Sequence, residues 1–248
     1  MANFLPLKNY ILYCTDKLID YYGLRGPFLD IGCGSGDVSK HMALKGWRGK
    51  ALDFSDIAIE TTKRNLVGFV GIEIEKKSLF KENSNFNTVF LLDVLEHIDN
   101  DKSALEKIAS LLSIDGYLLI SVPSNPREWR WDDDFYGHYK RFTAEEMKEK
   151  LKAAQLQPLI IWDFTYPFFW LMRRVYTKLK SSVVDTQRDK LNSTAISSSR
   201  NAWAMPFFSS FLSRKFIFWQ IIYKIQFTYF KDKVNKGFEM LILAKRQA

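Results

Sequence analysis

The sequence predicts an α/β protein: a doubly wound, largely parallel sheet with helices on both faces. Two patterns carry that expectation. Apolar runs of strand length, 28–31, 87–93 and 117–122, alternate with segments whose apolar residues recur at helical spacing, 37–44, 56–66 and 100–112. The first run leads straight into Gly32-Cys33-Gly34-Ser35-Gly36 and then a helix, and about 20 residues on Asp53 ends a second short strand. Glycines in such a turn let backbone N–H groups approach a ligand, because no Cβ stands in the way. A carboxylate at the end of the second strand can accept two hydrogen bonds from a ribose diol. A length of 248 residues suits one such domain with an insertion.

Taken in order, residues 1–25 read as an amphipathic helical lead-in, with Tyr10, Ile11, Cys14, Leu18, Ile19 and Tyr22 near helical spacing. Residues 28–32 give the first strand. A helix over 36–45 follows, with Val38, Met42 and Leu44 expected on its buried side. Residues 49–54 are the second strand, and Ser55 is placed to cap a helix over Asp56–Leu66 that buries Ile57, Ile59 and Leu66. Gly71–Lys77 alternates charge with Ile72 and Ile74, as an exposed edge strand does. Asn87–Asp93 is continuously apolar and suits a strand buried on both faces. Asn100–Leu112 is a helix, and Asp115-Gly116 turns into the strand Tyr117–Val122. Pro123–Phe142 reads as an irregular functional loop. Thr143 with Glu146 opens a helix through Ala153, and strands at Leu159–Phe164 and Phe238–Ala244 close the sheet.

About 70 residues separate those last two strands. Residues 164–248 hold 15 Lys/Arg against 4 Asp/Glu, net +11, which leaves −3 for residues 1–163; they also hold 18 of the 38 aromatic residues. Tyr166–Leu179 and Ala202–Lys233 are aromatic and basic, while Lys180–Asn201 is serine-rich and reads as a loop. The domain division is therefore 1–164 with 236–248, and an insertion at 165–235. No apolar run is long enough to span a bilayer. An amphipathic surface at an anionic membrane, a lid over an apolar substrate, and a cap or dimer face all fit the insertion. Nucleic acid fits its charge less well than its aromatic content fits lipid. Two unrelated cysteines, Cys14 and Cys33, argue for a reducing compartment. No signal-like segment opens the chain, so a cytoplasmic setting is expected, with peripheral membrane contact through 165–235.

Asp30 precedes the glycine turn, and Asp37 stands where a dinucleotide fingerprint has its third glycine. Two carboxylates there would repel a pyrophosphate at the helix N-terminus and favour a cationic ligand end. With that, Asp30-x-Gly32-x-Gly34-x-Gly36 and Asp53 resemble the class I S-adenosylmethionine-dependent methyltransferases. The resemblance implies a seven-stranded Rossmann-like sheet whose last strand is antiparallel, normally with a short turn before it. It implies S-adenosyl-L-methionine as cofactor, with Asp30 arranging the loop and the ammonium end and Gly32 and Gly34 allowing close approach. It places Asp53 on the ribose, Ser78 and Leu79 at the adenine, and Leu92 and Asp93 against the methionine part. Many members carry an acidic residue where Ser78 stands.

Glu96, His97 and His138 are the candidate catalytic residues. An imidazole titrates near neutrality, so either histidine can serve as a base; Glu96 and His97 can equally brace the loop. Asp93-x-x-Glu96-His97 is similar to the E-x-x-E-H metal site of ubiquinone-type O-methyltransferases and small-RNA 2′-O-methyltransferases. Its first position is one methylene shorter here, and no metal ligand set is assigned. Gly137-His138-Tyr139-Lys140-Arg141-Phe142-Thr143 resembles a bacterial methyltransferase segment that helps close the active site. Asp132-Asp133-Asp134 read as solvated. The expected activity is methyl transfer to oxygen or nitrogen of a hydrophobic or membrane-associated small molecule. Ribose methylation of RNA and a non-catalytic binding protein with this fold are the alternatives.

Overall fold

The structure, a computed structural model, describes residues 6–179 and 216–247. Its centre is β1 (Phe28–Ile31), four residues all buried. Parallel to it lie β2 (Gly49–Asp53) on one side and β4 (Phe86–Leu92) on the other; β3 (Ile72–Lys76) pairs with β2, and β5 (Leu112–Pro123) with β4. The sheet order is β3-β2-β1-β4-β5-β7-β6, with β7 (Glu239–Arg246) antiparallel to both β5 and β6 (Leu156–Asp163). This is the seven-stranded sheet that the resemblance implied. After β3 the chain returns past β1 to lay down β4. The loops leaving β1 and β4 therefore part in opposite directions, and a crevice opens between them.

Side chains alternate across the sheet with the strand period. Leu29, Ile31, Val89, Leu91, Leu118 and Ile120 face α4 (Asp101–Leu111) and α6 (Ala144–Ala153), where Leu105, Ile108, Met147 and Leu151 complete one core. Phe28, Phe90, Leu119, Leu241 and Leu243 face the other way, onto α1 (Pro6–Tyr22) and α2 (Asp37–Leu44). The third helix, α3 (Asp56–Asn65), starts at Ser55, whose hydroxyl accepts from the Ala58 N–H at 3.4 Å.

Two burial expectations fail for one reason. Leu44 is 68 % and Ile57 54 % exposed, while Met42 and Ile59 are buried. Residues two apart on a helix lie about 200° apart around its axis, so neither pair can share a face. Strand β6 also begins earlier than expected, at Leu156; it runs through Pro158, which an edge strand tolerates. The 123–142 loop is not irregular throughout. It contains a 3₁₀ turn, Pro126–Glu128, and a short helix α5 (Trp131–Tyr136), which ends where Gly137 takes a left-handed conformation.

Within the insertion, α7 (Phe168–Leu179) and α8 (Phe216–Phe230) join the second core beside α1. Phe169 and Trp219, each 1 % exposed, lie nearly parallel at 6.4 Å. The Tyr223 hydroxyl donates to the Pro6 carbonyl at 2.7 Å, and the Gln226 amide donates to the Phe164 and Tyr166 carbonyls at 3.0 and 2.8 Å. At the insertion's base the Asp163 carboxylate accepts from the N–H groups of Thr165, Lys236 and Gly237, and a Cβ on Gly237 would lie 2.2 Å from it. The expected serine-rich loop, Lys180–Asn201, and the start of the second aromatic segment, 202–215, lie outside the described residues. Among the described residues no helix is long and apolar enough to cross a membrane.

Because Trp219 is core and not appendage, Trp219→Ala should lower the unfolding free energy by about 3–5 kcal/mol. Urea denaturation checks this as a lower midpoint at unchanged slope; a loss below about 1 kcal/mol would mean that α8 does not belong to the cooperative unit.

Candidate active site

The crevice at the carboxyl ends of β1 and β4 is a cleft of about 750 Å³. All eleven residues singled out in the sequence line it: Asp30, Gly32, Gly34, Asp53, Ser78, Leu79, Leu92, Asp93, Glu96, His97 and His138. The glycine turn has the form its composition allows. Gly32 and Gly34 have φ of +69° and +55°. A Cβ on Gly32 would strike Val94 at 2.5 Å, whereas one on Gly34 would meet no protein atom and would occupy the space a ligand needs.

Two carboxylates hold this turn. Asp53 Oδ2 accepts from the Gly34 N–H at 3.0 Å and Oδ1 from the Ser55 N–H at 2.9 Å. Asp30 reaches across to α2, where its Oδ2 accepts from Ser39 Oγ at 2.7 Å and from the Ser39 N–H at 3.2 Å. Burial pushes the Asp30 carboxyl up to about 6 against the pull of those bonds, with the nearby Asp53 charge adding to the rise. Helix α1 forms a wall that sequence reasoning treated only as a lead-in. Its Lys8 donates to Ser35 Oγ at 2.9 Å and pairs with Asp37, and Leu7 and Ile11 also line the cleft.

Ser78 caps a 3₁₀ turn, Leu79–Lys81, accepting from the Phe80 N–H at 3.4 Å. At the end of β4, Asp93 takes a φ of +56°, a conformation Asp tolerates better than most residues. It is fixed by Ser121, whose hydroxyl donates to Asp93 Oδ1 at 2.5 Å and accepts from the Asp93 N–H at 3.0 Å. Its carboxylate also hydrogen-bonds Glu239, from the start of β7.

Glu96, His97 and His138 converge, each offering one ligand atom within 4.8 Å of the others. The rings of His97 and His138 lie edge to face at 5.0 Å. Burial, then the neighbouring His138, push His97 down to about 3, so its ring is neutral at physiological pH; Gly137 supplies its backbone partner. Burial and the Asp93 charge push Glu96 well above the usual carboxylate range, and Glu239 is raised for the same two reasons. Glu96 Oε2 and Glu239 Oε1 are buried and lack a hydrogen-bond partner.

His138 is oriented from behind. Its Nδ1 lies 2.9 Å from Asp133 Oδ1, and its Nε2 lies 3.9 Å from Glu96 Oε1. Burial alone would raise Asp133, but His138, Arg141 and Arg173 outweigh it and hold the carboxyl below the usual range. Asp133 is thus an acceptor, which places the His138 proton on Nδ1 and a lone pair on Nε2. The expectation of solvated aspartates is overturned: Asp132 and Asp133 are 3 % and 1 % exposed. Their partner Arg173 lies 40 residues away, and a local reading of three consecutive aspartates contains no sign of it. Glu239 was missed for the same kind of reason, since a lone Glu at a strand start carries no signal until β7 is placed beside β5.

A family model for the methyltransferase domain matches residues 10–159. The chain belongs to the methyltransferase-domain family. The ubiquinone biosynthesis O-methyltransferase of Glaesserella parasuis serovar 5 (strain SH0165) is 29 % identical over 126 residues, 47 % of this chain and 52 % of that protein. The chain thus spans about half the length of the curated relatives it matches. Among solved structures, the [4+2]-cyclase SpnF superposes with a TM-score of 0.62 at 13 % identity, covering 95 % of this chain and 80 % of that one. Geranyl diphosphate C-methyltransferase from Streptomyces coelicolor A3(2) gives 0.59 at 16 %, covering 95 % and 79 %. These likenesses share the fold. The cofactor of the methyltransferase domain is S-adenosyl-L-methionine, and the cleft fits it: an open Gly34, a carboxylate at the end of β2, and acidic groups where a phosphate would be repelled.

The expected role of Asp30 has a pH signature. Its raised value means that the neutral form favours folding, a contribution full below the unfolded pKa and lost as pH rises through about 6. A cofactor ammonium needs the ionised form, so S-adenosylhomocysteine affinity should climb from about pH 5 to pH 7 and then level. Asp30→Asn should flatten that profile and weaken binding at least about tenfold at neutral pH, the scale of a hydrogen bond to a charged group. Isothermal titration across the range decides it.

Proposed function

We propose that the chain is an S-adenosylmethionine-dependent methyltransferase acting on oxygen, or on nitrogen, of a hydrophobic small molecule. The observation that carries this is the meeting, in one cleft, of the open glycine turn with the Glu96, His97 and His138 cluster. When bound, S-adenosylmethionine supplies an electrophilic methyl carbon on a positively charged sulfur. The chain's part is to hold the nucleophile in line and take its proton. His138 suits the second task, with a lone pair on Nε2 and Asp133 to stabilise the imidazolium. His97, held neutral, is too weak a base for it and suits positioning.

The same three side chains fit a divalent cation. Two imidazoles and a carboxylate are the donor set of many transition-metal sites, and Asp133 behind His138 orients the ring as metal-ligating histidines require. Such an ion would lower the pKa of an acceptor hydroxyl.

The hydrophobic character of the acceptor rests on the insertion. Leu171, Val175 and Leu179 form an exposed stripe along α7, and Phe218, Ile221, Ile225 and Tyr229 one along α8. They belong to a C-terminal third of net charge +11. Apolar stripes within a basic region complement an anionic bilayer, from which a lipid-like acceptor could enter. The relatives' name, ubiquinone biosynthesis O-methyltransferase, points to a hydroxyl as the methyl acceptor.

Isothermal titration with S-adenosylhomocysteine is the test. The native chain should bind, and Gly34→Leu should not. Absence of binding by the native chain would sink the reading. With radiolabelled cofactor and a panel of alkyl-tailed phenols, catechols and amines, His138→Ala should keep S-adenosylhomocysteine affinity and lose about 10²–10⁴-fold in turnover. A second measurement addresses the membrane. The chain should float with vesicles containing phosphatidylserine, and paired Leu171→Asp and Ile221→Asp changes should release it; equal flotation of both proteins would remove the stripes from the argument.

A further inference from the structure

The 3₁₀ turn and α5 that lead to His138 are clasped by the insertion's first helix. Arg173, 3 % exposed, sits on the inner side of α7. Its guanidinium forks onto Asp132, with Nε 2.8 Å from Oδ2 and Nη2 2.6 Å from Oδ1. The same Nη2 donates to Asp133 Oδ2 at 2.8 Å, and Nη1 donates to the Glu128 carbonyl at 2.9 Å. The group lies over the Phe238 ring, 5.0 Å from its centroid. Neighbours on α7 reinforce the clasp: Trp170 Nε1 donates to Glu128 Oε1 at 3.0 Å, and the Thr177 carbonyl accepts from Trp131 Nε1 at 2.9 Å.

The other oxygen of Asp133 meets the active site. Oδ1 accepts from His138 Nδ1 at 2.9 Å and from Arg141 Nη2 at 2.7 Å. Arg141 in turn donates to the Ser124 and Phe238 carbonyls. One carboxylate thus joins Arg173 on the insertion to the imidazole in the cleft. Arginine suits this position because its planar fork serves two carboxylates and a carbonyl together, which a lysine ammonium cannot do in one fixed geometry.

We propose that Arg173 is a positioning residue of the active site: through Asp133 it fixes the orientation and tautomer of His138, so the insertion is a structural part of the catalytic centre. This rests on the reading that His138 works in the cleft, and two measurements keep the ideas apart. The first needs no acceptor. The chain has only three histidines, His41, His97 and His138, so ring ¹⁵N spectra of the histidine-labelled full chain are assignable from single replacements. In the native chain His138 should show one tautomer, protonated at Nδ1. In Arg173→Gln its two ring nitrogens should converge towards an average of both tautomers, with His41 unchanged and S-adenosylhomocysteine affinity within about twofold. A His138 spectrum identical to that of the native chain would overturn the proposal whatever His138 does. If Arg173→Gln fails to bind S-adenosylhomocysteine, Arg173→Lys, which keeps the buried charge and loses the fork, is judged by the same spectra.

The second measurement is a cycle with His138→Ala, using the best acceptor of the panel. Arg173→Gln should lower kcat about 10–100-fold in the native background and less than about twofold when His138 is already absent. Equal losses in both backgrounds would show that Arg173 does not act through His138. No loss from His138→Ala alone would refute the catalytic reading of that histidine, while the spectra would still decide the contact.

Discussion

Three cationic or potentially cationic side chains meet on the carboxylate of Asp133: Arg141 and His138 at one oxygen, Arg173 at the other. Desolvating such a group costs several kcal/mol per ion, and only full satisfaction repays it. Here the satisfaction is close to complete, because the Arg130 N–H also donates to Asp133 Oδ2 at 2.8 Å. Removing one partner leaves the others buried and mismatched, so this cluster fixes its parts to one another far more firmly than a surface pair would. The loop after β5, the last strand and the insertion all depend on it.

The opposite end of the cleft is organised by carboxylates at the ends of β1 and β2. Asp30 and Asp53 spend their oxygens on the glycine turn, on Ser55 and on Ser39, and so shape the turn before any ligand arrives. Electrostatic complementarity to a cation is built in, since no basic side chain bonds directly to either group. Midway between the ends, Asp93 is shared between Ser121 on β5 and Glu239 on β7. The chemistry of the cleft is therefore assembled from both edges of the strand-order reversal and from the antiparallel return. The shared fold does not dictate the reacting atom: of two chains with this architecture one is a cyclase and another a C-methyltransferase.

Most of the frame was legible in the sequence because its signals are local. Glycine spacing, the Asp53 offset, the Ser55 and Thr143 caps and the unbroken apolar run of β4 each act within a few residues. What escaped notice acts over long range. Asp132 and Asp133 look like solvated loop residues until Arg173 arrives 40 positions later, and α5 exists because that pairing and Gly137 bound it. Lys8 gains meaning only when α1 is seen to lie against the glycine turn. Leu44 and Ile57 misled for a different reason: hydrophobicity was read without the angle that separates each from its buried neighbour.

The Asp163 latch at the base of the insertion has a consequence for how such a chain can change. It brings residues 163 and 237 together with backbone hydrogen bonds and leaves no space for a Cβ at Gly237. With the two ends already clipped, extra length between them carries only a logarithmic closing cost, about 0.6 kcal/mol per doubling. The stretch from Lys180 to Lys215 is thus open to lengthening, shortening or exchange during divergence, and could retune which molecules the chain accepts. The twelve residues of α7 have no such freedom, because one of them is tied into the chemistry.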